Sequence, residues 1–259
     1  MTMVTESQVR RVLAAVATGF LPELGASSPI NRLGDWLHRA RWSSPMARAS
    51  GLRRLAVAAI GSRGVVDGGE FANRVARLAV QWGVPVALRA AAQCYTGEHR
   101  ERMLQAAELC EREPTHVHAI QARAVANDAA SASAAVGDAA DDAAYYAALA
   151  AIRADDAAYY AALAAIRAAD SVADAADAID AADCAVSAAT YAADAAYAAT
   201  EAVHDGRNDA AARAAYDAVL VEFAELVVGV LIDLRSPGAA YLHITDCDAR
   251  HRAGLDVTA

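Results

Sequence analysis

Residues 170–204 read DSVADAADAIDAADCAVSAATYAADAAYAATEAVH. Alanine is the strongest helix former, and the stretch has neither glycine nor proline, so it reads as one helix. Its neighbours extend the pattern. From 121 to 200, 40 of 80 residues are alanine, and between His118 and Asp205 there is no proline and one glycine, Gly137. A single helix from Asp138 to His204 would run roughly 100 Å. A compact chain of this length is only about 45–50 Å across. The tract is therefore expected to fold back on itself. The expected breaks are at Asp155 and at Asp170–Ser171, residue types that cap helices well.

The first 118 residues read differently, as several short helices with larger apolar side chains. Thr5 is placed to cap a helix over Glu6 to Thr18. Ser28-Pro29 and Ser44-Pro45 each read as an N-cap followed by proline at the first helical position, starting helices to about Arg41 and Ile60. Residues 61–69 read as a loop. Phe71, Val75, Leu78 and Trp82 fall at helical spacing within Glu70 to Trp82. Pro85 starts a further helix ending near Tyr95. Glu98 to Glu113 forms the next, with Met103, Leu104, Ala107 and Cys110 inward, and Pro114 closes it. Beyond the alanine tract, Asn208 caps a last long helix to about Leu234. Its Val219, Phe223, Leu226, Val227, Val230 and Leu231 predict burial, and Ser236-Pro237-Gly238 ends it.

The composition narrows the class. The chain has 259 residues, 73 of them alanine, and all 23 basic residues are arginine. No apolar run approaches the length needed to span a membrane, so no membrane partner is expected. Net charge is −9, distributed as +6 over residues 1–127, −10 over 128–200 and −5 over 201–259. The acidic half argues against nucleic acid, whose phosphates it would repel. It favours a basic protein partner, or the chain's own arginine-rich half. Cys94, Cys110, Cys184 and Cys247 fall at no metal-type spacing and read as reduced thiols, which fits a cytoplasmic protein.

Few motifs carry chemistry. Residues 141–154, DDAAYYAALAAIRA, recur letter for letter at 155–168. Fourteen residues nearly complete four helical turns, so the duplication keeps the stripe of Tyr145, Leu149, Ile152, Tyr159, Leu163 and Ile166 in register. Asp141-Asp142-Ala143-Ala144-Tyr145 and its copy from Asp155 resemble the aspartate-rich motif of isoprenoid synthases, where carboxylates hold magnesium against a diphosphate. Here tyrosine replaces the final aspartate, so a magnesium-dependent all-α enzyme on isoprenoid diphosphates stays a remote alternative. His243, Cys247 and His251 have zinc-type chemistry, but on one helix they would fan too far apart for a single ion. No catalytic, cofactor or metal residues are assigned. The remaining candidate is the run Asp170, Asp174, Asp177, Asp180 and Asp183. Its 4, 3, 3, 3 spacing gathers carboxylates on one broad, slowly drifting helix face, which suits a partner-docking surface.

The stretch from about Leu78 to Ala130 has a specific layout. An apolar helix with a tryptophan is followed by a turn at Tyr95. Next comes an arginine-flanked helix ending in CEREPT (110–115), and then the alanine tract. Over roughly residues 70–200 this order is similar to the alanine-rich immunity proteins found beside bacterial polymorphic toxins. The resemblance implies a non-enzymatic cytoplasmic protein that neutralises a cognate toxin by occluding it, with no catalytic residues to carry over.

The sequence thus predicts an all-α protein, an irregular multi-helix bundle with long alanine-rich helices in its C-terminal half. An arginine-rich short-helix region (1–118) adjoins an alanine- and aspartate-rich long-helix region (119–259), and the two can equally form one continuous domain. The expected function is protein binding, with self-association into a structural homodimer as the alternative.

Overall fold

The computed structural model describes residues 4–18, 28–132, 142–149, 171–203 and 209–245. Among these, every regular element is a helix. In chain order they are α1 (Glu6–Ala17), α2 (Pro29–Arg39), α3 (Pro45–Ala58), α4 (Gly68–Leu78), a π turn (Ala79–Gly83), α5 (Val84–Ala92), α6 (Gly97–Arg112), α7 (His116–Ala132), α8 (142–149), α9 (Ser171–Val203), α10 (Asp209–Asp233) and a 3₁₀ turn (Pro237–Tyr241). The expected all-α bundle is what the chain forms.

Local chemistry sets the helix ends. Thr5 and Gln8 close a reciprocal capping box on α1, in which each side chain accepts from the other residue's backbone N–H. Ser44 caps α3 by accepting from the Ala47 N–H, and Pro45 occupies its first turn. Asp67, inside the expected loop, does the same for α4 through the Glu70 N–H. The sequence separates the helices on either side of Pro85, whereas the structure joins them through the π turn. Proline donates no N–H, and its ring crowds the carbonyl four residues back. The widened turn, in which the Val84 N–H reaches the Ala79 carbonyl, lets the chain pass this point without breaking.

The alanine-rich α9 lies at the centre. It packs against α2, α4, the π turn, α5 and α10, while α3 packs on α10 and α1, α6 on α5, and α7 on α6. Its fully buried alanines, among them Ala181, Ala185, Ala188, Ala192 and Ala195 with Ala182, Ala189 and Ala193 beside them, cover a broad face of the helix. The facing α10 supplies the large side chains, Leu220, Phe223, Val227 and Leu231, all buried. Small residues on one helix and large ones on the other let the surfaces interdigitate at close axial separation. Ser187, Thr190 and Thr200 of α9 turn their hydroxyls onto carbonyls four residues back, at 2.9, 3.0 and 2.8 Å, so they sit in the interior without an unmet donor. Buried residues of both sequence halves belong to one hydrophobic cluster.

The alanine tract does fold back. Ala143, Ala144, Ala147 and Ala148 of α8 are buried in that cluster. Tyr146 lies close enough to Asp194 for the carboxylate to raise the pKa of its hydroxyl, second to burial as a cause. On one straight helix the two residues would be about 70 Å apart. Asp155, Asp170 and Asn208 lie outside the described residues.

After α10, the 3₁₀ turn closes over the end of α3. Ser236 donates from its hydroxyl to the Ala58 carbonyl at 2.5 Å. A Cβ on Gly238 would stand 2.0 Å from the Val57 carbonyl oxygen, so only glycine fits. By contrast, Gly34 is inside α2 with nothing within 4 Å of an added Cβ. Gly238→Ala is expected to lower the unfolding free energy by about 1–3 kcal/mol through overpacking. Gly34→Ala should raise it by about 0.5–1 kcal/mol by removing backbone freedom from the unfolded chain. Urea unfolding of both variants measures this.

Candidate functional site

The predicted acidic face lies on the N-terminal half of α9, where α2 packs against it. Asp170 and the side chain of Asp174 lie outside the described residues. The other three are brought together but differ in setting. Asp177 is buried, at 8% exposure. Asp183 receives the Arg32 guanidinium of α2, whose Nε stands 3.0 and 3.1 Å from its two carboxylate oxygens. Asp180 is exposed. Its pKa is raised first by partial desolvation and then by the charges of Asp183 and Asp177, against the opposing pull of Arg32. Asp180 therefore presents a surface carboxylate whose like-charged neighbours make it costly to ionise.

Further ion pairs carry the arginine-rich half onto the acidic half. Arg54 reaches Glu225 at 3.0 Å, Arg74 reaches Asp233 at 3.3 Å and Arg102 reaches Asp128 at 2.8 Å. Trp82 stacks on Phe223 with ring centroids 5.8 Å apart, and its indole donates to Glu222 at 3.0 Å.

A second site was not visible as a motif. A cleft of about 320 Å³ opens where the connection between α2 and α3 crosses α9 and α10. It is lined by Arg41, Ser43, Asp194, Tyr197, Arg213 and Tyr216. The connection is held from beneath by Trp42. The Trp42 indole donates to the Leu37 carbonyl at 2.8 Å, and its ring covers Gly51 so closely that a Cβ there would stand 2.7 Å from it. The Ser43 backbone N–H donates to Asp217 at 3.0 Å, and its hydroxyl donates to the other oxygen of that carboxylate. The Arg41 backbone N–H donates to the Tyr216 hydroxyl at 3.4 Å. On the far wall, Tyr197 donates to Glu201 or Asp209, at 3.2 and 3.0 Å. The Arg213 Nε lies 2.9 and 3.0 Å from the Asp209 oxygens.

Asp194 differs from these residues. Among the described residues its carboxylate takes part in no hydrogen bond or ion pair. Burial pushes its pKa up to about 6, against a smaller opposing effect of the Arg41 charge. The same burial, with the Asp194 charge second, pushes Tyr216 up to about 12. A sequence signal for this site exists in retrospect. Asp194 is a lone carboxylate, eleven residues after Asp183, in an alanine-rich helix, with Tyr197 nearly one turn further along the same face.

Other sequence candidates are placed as follows. Asp142 is exposed at the start of α8, while Asp141, Asp155 and Asp156 lie outside the described residues. His243 stacks on Tyr241, and Cys247 and His251 lie outside the described residues. Among the described residues no group of three or more metal-ligating side chains converges. No described helix is long and apolar enough to cross a membrane. Cys94, Cys110 and Cys184 are in the thiol form, and burial raises the pKa of Cys110 to about 11.

The raised pKa of Asp194 has a defined sign. The folded carboxyl keeps its proton up to about pH 6, whereas in the unfolded chain it releases it near 4. Between these values the native state binds more protons. The contribution is therefore most favourable below pH ~4 and is lost as pH rises through 6. Asp194→Asn should remove this slope and stabilise the protein at pH 7 by on the order of 1–3 kcal/mol. Urea unfolding from pH 4 to 8 checks both points. No family model matches this chain, and comparison with curated proteins and with solved structures gives no significant match.

Proposed function

We propose that the chain is a non-enzymatic protein-binding protein that silences a basic partner by occlusion, as an immunity factor does. The observation that carries this reading is Asp180, exposed on a helix packed against α2, α4, α5 and α10. Its like-charged neighbours cost local stability in the free protein. A basic partner would relieve that repulsion, and the field of the patch would steer its approach. The direct test is the protein encoded by the neighbouring reading frame, mixed with this chain while association is followed by stopped flow. The reading expects a stable complex and loss of the partner's activity. Asp180→Asn should slow association about threefold at low salt and flatten its salt dependence. Absence of a complex, or association unchanged by Asp180→Asn, would overturn it.

Self-association is favoured by a separate observation. Among its described residues α7 buries Ala119, Ala122, Ala126 and Ala129 at heptad-like spacing, yet turns Val117 and Ile120 outward at 56% and 45% exposure. If that stripe pairs two copies, the chain sediments as a dimer at micromolar concentration and Ile120→Glu returns it to a monomer. A wild-type monomer removes the reading.

A further inference from the structure

The cleft beside Trp42 holds two unmatched charges of opposite sign. The Arg41 guanidinium and the Asp194 carboxylate both line it. Among the described residues neither side chain makes a hydrogen bond, and they do not pair with each other, since no N···O separation falls within 4.0 Å. Each of the other polar side chains of the wall has at least one partner. Ser43 is committed to Asp217, Tyr197 and the Arg213 Nε to Asp209, and Tyr216 accepts from the backbone of Arg41. The Asp194 carboxylate is largely desolvated without a hydrogen bond, a cost that a bound cation would offset, while Arg41 stands at the exposed side of the cleft. The cleft is left with one open acceptor, the Asp194 carboxylate, and with the Arg41 guanidinium as its unpaired cation, beside the uncommitted Tyr216 O–H.

We propose that this cleft binds a small zwitterion of the α-amino-acid class, with its carboxylate on Arg41 and its ammonium on Asp194. A guanidinium recognises a carboxylate through paired N–H donors, and a partly desolvated aspartate is a strong acceptor for an ammonium. The rings of Tyr197 and Tyr216 flank the space between, offering apolar and cation–π surface to the ligand's side chain. A volume of about 320 Å³ is at the small end of ligand pockets, which suits an amino acid and leaves no room for a dinucleotide. The site is distinct from the acidic patch around Asp180, so failure of either proposal leaves the other standing.

The test is calorimetry and thermal melting of the full chain with the twenty standard L-amino acids, each at about 5 mM, a level that detects Kd values near 1 mM. At least one should bind with one-to-one stoichiometry and raise the melting temperature. L-alanine, propionate and ethylamine compare the zwitterion with each half, and each half should bind at least about tenfold more weakly. Arg41→Gln and Asp194→Asn should each weaken the best ligand by about tenfold or more, while the unliganded melting temperature at pH 7 does not fall. Affinity should drop from pH 7 to 5 as Asp194, facing Arg41, Tyr146 and Tyr216, takes up its proton. The proposal is overturned if no amino acid binds, if binding survives both substitutions, or if propionate or inorganic phosphate binds as well as the zwitterion.

Discussion

The central constraint on this protein is that α9 has neighbours around most of its circumference. A helix enclosed by α2, α4, α5 and α10 can carry little but alanine, because any larger side chain would push a neighbour away. Alanine gains little from burial, since each removes little apolar area from water. The hydrophobic driving force comes instead from what surrounds α9: Leu33 and Leu37 of α2, Phe71 and Val75 of α4, Leu88 of α5, and the large face of α10. The alanine helix is a spacer of minimum diameter that lets those side chains reach one another's layers.

The same constraint governs every non-alanine position on α9. Hydroxyls bend back onto the helix's own backbone. Asp183 is drawn to Arg32 at the seam with α2. Asp194 and Tyr197 emerge where the packing opens into the cleft. The uneven charge along the sequence is thus partly an internal arrangement. Arginines of the first half reach acids of the second in several places, each pair half-exposed and individually worth little. Asp180 is left facing outward.

Two surfaces follow from this layout, and they differ physically. At Asp180 one exposed carboxylate stands beside the Arg32–Asp183 pair, a surface suited to contact with a basic group. The cleft is small and partly desolvated, with the Arg41 cation and the Asp194 anion unpaired on its lining, suited to a compact ligand. Trp42 links the cleft to the core. Its ring rests on Gly51 and its indole holds the end of α2, so the backbone that carries Arg41 and Ser43 is as fixed as the helices beneath it.

Helix type and most helix ends follow from the sequence alone, because they depend on residues within one turn of each other. Thr5 with Gln8, Ser44 with Pro45, and the stripe from Phe71 to Val75 are local interactions that any helix would express. Alanine content by itself settles helicity, but it cannot say which face is inside, since a helix of uniformly small residues has no apolar stripe to point. Its central position, the pairing of Arg32 with Asp183, and the meeting of Arg41 with Asp194 and Tyr216 were decided by tertiary structure. Those groups lie more than a hundred residues apart in the chain, and only packing of the large side chains around α9 brings them together.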